Sequence, residues 1–413
     1  MTGPLDGLKV VECSIAMAGP YCGLMLGDYG ADVVKIEQPD HGDESRNWPP
    51  FVNGSYSHYF AAVNRNKRSL AVDLKSPEGV AVMRKLALSA DVLIDNFRLG
   101  TLDRLGFGYE QLSAVNPRLI YCRVTGFGAT GPRAAERAND AVVQAYSGGM
   151  SLTGEPDGGP VKMGISVADI GAGLFSTIGV LMALEMRHRT GRGQLVDTSL
   201  LEGQMAMLTN HFSSYFASGK VPPRRGSSGQ GMVPYQAFHA LDGWMVVAAF
   251  TDRMWCGVCN AIERPEWGAD PRYHNAAGRF ENREPLIAQL SAIFSTRSVD
   301  EWEKRLTGEG VPFTRVNTID QVAVDEQALA REMIQTITHP EVGDIKMIGL
   351  PIKFSDTSGV IRQSPPLLGE HSAQIVEELG YGPAEIDAMV AGGVIQVPAA
   401  SRARQVTALG ARS

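Results

Sequence analysis

Two hydrophobic periods alternate along the first third of the chain. Short β-prone runs read as strands: LKVVEC (Leu8 to Cys13), ADVVKIE (Ala31 to Glu37), SLAVDL (Ser69 to Leu74), VLIDNF (Val92 to Phe97) and LIYCRVTGF (Leu119 to Phe127). Stretches with helical spacing lie between them. YCGLMLGDYG ends at Gly30, Ser76-Pro77 opens a helix to Ala90, and another is centred near Gln111. This alternation predicts an α/β fold with an open, mostly parallel sheet, whose ligand sits at the carboxyl ends of the strands. Those ends are Cys13 to Met17, Glu37 to Gln38, Leu74-Lys75, Asn96 to Arg98 and Gly126 to Gly128.

The pattern then changes. Thr153 to Gly173 begins as a Gly/Pro-rich loop and runs into an apolar helix that reaches Arg187, with Gly191 as its stop. QLVDTSLLEGQMAML gives one more strand and helix. Pro, Gly and Ser crowd residues 218–234, which read as a linker. A smaller α+β pattern follows, with a strand at WMVVAAF and helices near Trp255, Leu286 and Trp302. Beyond His339 come short strands (IKMIGLPIKF) and helices near Ile375 and Ile386. The expected division is 1–217, linker 218–234, small domain 235–325, and a closing segment 326–413. No internal repeat is visible.

Composition narrows the class. With 413 residues, 44% hydrophobic and 20% charged, the chain reads as a globular protein of two domains. A formal net charge of −7 argues against a nucleic-acid surface, so any anion site must be local. The longest apolar stretch, Gly171 to Met186, is broken by Gly179 and Glu185 and reads as too short to span a membrane. No signal peptide is visible and five irregularly placed cysteines make no disulfide framework, so the cytoplasm is expected.

Candidate chemistry centres on Asp169, on the first turn of the long helix among Ala168, Gly171, Ala172 and Gly173. It has two readings. Small neighbours leave room for a substrate beside a nucleophilic carboxylate; or Ser166 caps the helix and Asp169 completes a capping box. Lys75, Arg98, Arg104 and Arg137 lie near strand ends and, if they converge, suit phosphates. Glu37 stands where a dinucleotide fold keeps its ribose-binding acid, but the first loop has Gly19 alone and lacks G-x-G-x-x-G. VVAAFTDRMWCGVCNAI looks like a thiol–disulfide motif after a strand, which requires a thiol at a helix N-terminus.

LDGLKV, GADVVKIE, NRNKRSLAVDLKSPEG, DNFRLGTLDRLGFGYEQL, NPRLI, TGRGQ, MWCGVCNAIERPEW and LLGEHSAQIVEELG together resemble the class III CoA-transferases, the CaiB/BaiF family, nearest the formyl-CoA transferase branch. The resemblance implies a large Rossmann-like domain built from both chain ends, a small α+β domain, and an interlocked, ring-shaped homodimer. It implies no permanently bound cofactor and no metal; coenzyme A thioester is a substrate, and the partner is a small carboxylic acid. Asp169 falls at the family's catalytic aspartate, which carries an acyl anhydride and then an aspartyl-CoA thioester. Ala16 and Met17 would lie beside the pantetheine. Gln38, Leu74, Lys75, Asn96, Phe97, Arg98, Arg104, Arg137 and Ala138 would line the nucleotide and its phosphates. Asn139 and the loop glycines Gly226, Gly229 and Gly231 would face the substrate.

The chain departs from the formyl-CoA branch at Met17 (there Gln), Asn139 (Tyr), Gln38 (basic), EPDGGP (FWDGPP-like) and a shortened Gly-rich loop, 226–231. The resemblance leaves open an α-methylacyl-CoA racemase, which needs an acid/base near Asn139 that an amide cannot supply, and a non-catalytic CoA-binding subunit. A short acyl or dicarboxylyl donor such as succinyl-CoA is the expected substrate.

Overall fold

The computed structural model describes residues 3–54 and 56–398. The chain divides into two compact units. The larger comprises Met1–Gly149, Lys162–Gly219 and Leu329–Ser413; the smaller, Met150–Val161 and Lys220–Ala328.

A seven-stranded sheet organises the large unit. Its order is Ile395–Gln396, Lys67–Val72, Asp32–Glu37, Lys9–Cys13, Val92–Asp95, Ile120–Thr125, Leu195–Ser199. All neighbours are parallel except the short Ile395–Gln396 edge. Parallel strands are covered on both faces, which explains why they read as nearly continuous apolar runs. Val11, Val34 and Leu93 pack with helices Pro77–Ser89 and Ser372–Glu378; Val10, Val33 and Ile94 pack with Ala18–Asp28 and Val167–Thr190. Each expected strand falls within two residues of its predicted limits where β-branched residues are dense. The serine expected to open the helix Pro77–Ser89 caps it: Ser76 Oγ accepts from the Gly79 N–H at 3.0 Å.

The long helix, Val167–Thr190, is closed by Gly191 at φ 73°, the stop that the sequence marks. Its most apolar 18-residue window has a mean hydropathy of 1.8, so the helix is long and apolar enough to cross a membrane by length and composition, contrary to the expectation from Gly171 to Met186. Half of that apolar window is buried inside the protein, as in a core helix. Its small residues are there for close approach. A Cβ at Gly173 would lie 2.7 Å from the Ala18 carbonyl oxygen and 2.9 Å from Tyr21 Cβ; one at Gly171 would lie 2.8 Å from Met207 Cε. The expectation that these residues leave substrate space is therefore corrected: neighbouring chain fills it.

In the small unit Trp244–Ala248 is the middle strand of an antiparallel sheet, between Tyr235–His239 and Phe313–Arg315. Helices Asp252–Ala261, Arg283–Phe294 and Val299–Gly308 bring Trp255, Phe294 and Trp302 into one core with Phe238. Back in the large unit, Ile334–His339 and Gly343–Ile348 form a hairpin; of the short strands expected within IKMIGLPIKF, the part after Ile348 forms none.

Candidate active site

The first strand lies between the second and the fourth, so the connections leave the sheet in opposite directions at that point. Open α/β sheets form their ligand crevice at such a reversal. A cleft of about 840 Å³ occupies it, lined by residues 15–18 after the first strand and 96–99 after the fourth, with Trp48, Tyr59, 124–126, 134–141, Lys162, Ser166, Asp169 and Leu200.

The floor is held by polar bonds. Asn96 Oδ1 accepts from the Ile15 N–H at 2.8 Å, and its Nδ2 donates to the Ile15 carbonyl at 2.9 Å. Ala16 has φ 64°, a left-handed conformation costly for a residue with a Cβ. Its N–H donates to Asp43 Oδ1 at 3.2 Å. Asp43 pairs with Lys35 at 2.9 Å, Lys35 with Glu12 at 3.0 Å, and Glu12 with Lys67 at 2.7 Å; all four side chains are fully buried. Ionic groups away from water are tolerable only in such a paired, hydrogen-bonded set. Against the cost of burial, Lys35 and the Ser45 donors hold Asp43 well below the usual carboxylate range. Burial brings Lys67 down to about 8 although Glu12 opposes it.

Asp169 is presented by the first turn of the long helix, and the capping box expected there is absent. Ser166 makes no side-chain capping bond. The Ala168 N–H instead donates to Asp140 Oδ1 at 2.9 Å. Asp140 Oδ2 also accepts from Gln144 Nε2 at 2.7 Å and pairs with Lys162 Nζ at 3.2 Å. A carboxylate from another helix has taken the capping role, and among the described residues none hydrogen-bonds the Asp169 carboxylate. Burial, then repulsion from Asp140, pushes Asp169 up to about 7, while Lys162 pulls it down. An unbonded carboxylate titrating near neutrality is available for nucleophilic or basic chemistry.

Of the positions expected to form the site, Ala16, Met17, Asn96, Phe97, Arg98, Arg137, Ala138, Asn139 and Asp169 line this one cleft. Gln38, Leu74, Lys75 and Arg104 do not. Leu74 packs on the sheet core, the Lys75 N–H donates to Asp73 Oδ1, and Arg104 Nη2 donates to Thr101 Oγ1 at 3.3 Å. Gly226, Gly229 and Gly231 belong to the small unit, where the Gly226 N–H donates to Gly154 O and the Gly229 N–H to Tyr235 O, both at 2.9 Å. Sequence reasoning missed Trp48, Tyr59, Asp140 and Lys162. Trp48 and Tyr59 meet edge to face at 4.8 Å, and burial followed by the Asp169 charge pushes the Tyr59 phenol up to about 12.

Competing chemistries fit poorly. Glu37 is buried against Arg46 at 2.6 Å and the Ser69 hydroxyl at 2.7 Å, not offered to a ribose. Cys256 and Cys259 lie in the body of the Asp252–Ala261 helix, not at its N-terminus, and burial and then Cys256 push the Cys259 thiol up to about 12. Asn139 Oδ1 accepts from the Val142 N–H at 3.1 Å and caps Asp140–Tyr146, a structural task that suits an amide.

The model of CoA-transferase family III matches residues 5–372. The chain belongs to this family. Family III relatives extend along almost its full length. The mouse succinyl-CoA:glutarate CoA-transferase is 37% identical, covering 95% of this chain and 90% of its own. The Agrobacterium fabrum succinate–glutarate CoA-transferase is 39% identical over 91% and 96%. A crystal structure of a CaiB/BaiF family protein from Brucella suis superposes with a TM-score of 0.82 at 41% identity, covering 92% of this chain and all of that one. The enzyme is thus a family III CoA-transferase, and racemisation is not favoured.

Proposed function

We propose that this CoA-transferase moves CoA from succinyl-CoA to a free dicarboxylic acid such as glutarate through covalent intermediates on Asp169. The observation that carries the reading is the Asp169 carboxylate, unbonded at the crevice, where burial and Asp140 push it up to about 7. Its oxygen attacks the thioester carbonyl, expelling CoA thiolate and leaving a mixed anhydride. The thiolate then attacks the aspartyl carbonyl, releasing the donor's acid and forming an aspartyl-CoA thioester. The acceptor carboxylate attacks that thioester, and the same two steps reversed deliver the new acyl-CoA and free Asp169. One difficult exchange becomes several easier ones.

Arg98 and Arg137, both on the cleft, suit the CoA phosphates, with Ala16 and Met17 beside the pantetheine. Gln38, Leu74, Lys75 and Arg104 are assigned to CoA on the resemblance alone. The names of the mouse and Agrobacterium relatives support succinyl-CoA and glutarate in preference to formyl-CoA and oxalate. The working form is a homodimer. Its setting is the cytoplasm, a reading supported by five free cysteines.

The test is a panel of acyl-CoAs against free acids, with CoA exchange read by mass spectrometry. Succinyl-CoA with glutarate or another short dicarboxylate should exchange at least about tenfold faster, in kcat/KM, than formyl-CoA with oxalate. The reverse preference would contradict the substrate assignment.

A further inference from the structure

Three cations line the cleft: Arg98, Arg137 and Lys162. Among the described residues, Lys162 is the one of these three paired with Asp140, and its charge acts on Asp169. Its Nζ lies 3.2 Å from Asp140 Oδ2 and donates to the Met163 carbonyl at 3.2 Å, leaving one of three ammonium protons. The side chain is 41% exposed and lines the cleft. Among the described residues, Asp140 and Lys162 are the charged groups that act on Asp169. Asp140 comes from its own helix and Tyr59 from the helix His58–Asn64, while Glu44 and Glu136 stand on the cleft rim.

This distribution creates a difficulty for any acid substrate. In CoA transfer a free carboxylate must come to Asp169, and so must approach the Asp140 carboxylate, which stays buried and fixed by its bonds to Ala168 and Gln144. Like charges at such range repel strongly away from bulk water. A cation with a spare donor removes that barrier.

We infer that Lys162 receives the free carboxylate of the acid substrate and steers it to the CoA-bearing Asp169, making it a specificity-determining residue for the acid half of the exchange. The inference rests on Asp169 as the covalent carrier. Arg98 and Arg137 then serve the thioester, and the two substrates answer to different cations.

The test uses the full chain as wild type, Lys162→Met and Lys162→Arg, with succinyl-CoA and glutarate at a pH well above 7, where Asp169 is ionised throughout. Lys162→Met should raise the KM for glutarate by about tenfold or more and change the KM for succinyl-CoA by less than about twofold; Lys162→Arg should recover much of the loss. Because Lys162 pulls Asp169 down, its removal should also move the acidic limb of the rate profile to higher pH. Covalent capture of acyl-CoA in the absence of acid should persist in Lys162→Met. An unchanged glutarate KM, or a rise confined to succinyl-CoA, overturns the assignment to Lys162 while leaving Asp169 in place. No covalent capture in the wild type overturns both.

Discussion

Asp140 illustrates how one residue can settle the role of another. By taking the Ala168 N–H it relieves Asp169 of capping, and its charge raises the proton affinity of the carboxylate it has freed. That arrangement makes an ionised Asp169 a burden on the fold. Burial and Asp140 push the group from the ordinary aspartate value of 3.8 up to about 7, so between those pH values the folded chain keeps a proton that the unfolded chain has lost. Stability conferred by the protonated form is therefore full below about 4 and falls as pH rises through 7. Asp169→Asn should be more stable than wild type at pH 8 by about 1–4 kcal/mol, with the gap closing towards pH 4. Thermal unfolding across that range checks this, and a less stable Asp169→Asn at pH 8 would return Asp169 to a structural role. Asp169 stood out in the sequence because its neighbours are small and its helix long. Asp140 and Lys162 did not, since their meaning lies in partners brought from elsewhere by the fold.

The same distinction between local and distant signals separates the elements that were legible from those that were not. Ser76-Pro77, Gly191 and the β-branched runs act within a few residues, and the elements they mark appear where expected. Lys35 sits inside ADVVKIE without announcing burial, because Glu12 and Asp43 reach it from other segments. The small residues of the long helix were misread as substrate space because their partners, Ala18, Tyr21 and Met207, are equally remote. The helix keeps a second, outward apolar face: Ile178, Leu181, Met182 and Met186 are all exposed, at helical spacing. This face supports the proposed homodimer, for which an interface of more than about 2,000 Å² is expected. Sedimentation at low micromolar concentration should show a dimer for wild type and dissociation for Met182→Glu. A wild-type monomer would contradict the assembly.

At the scale of the whole chain, alternation of strands and helices established an open parallel sheet, but not its strand order. The order places the first strand against the fourth, and so brings the backbone of 15–17, the turn at 96–98 and the start of the long helix to one crevice. Periodicity along a chain has no access to that adjacency; the blocks shared with the CoA-transferases pointed to site residues but carried no strand order. The central claim is that this crevice exists to let Asp169 carry CoA covalently. Incubating the protein with succinyl-CoA alone, quenching with hydroxylamine and sequencing its peptides by mass spectrometry tests it directly. The account predicts a hydroxamate on Asp169 in the wild type, no adduct in Asp169→Asn, and turnover in that variant lower by about a thousandfold or more. An adduct on another residue, or near-normal turnover by Asp169→Asn, would contradict it.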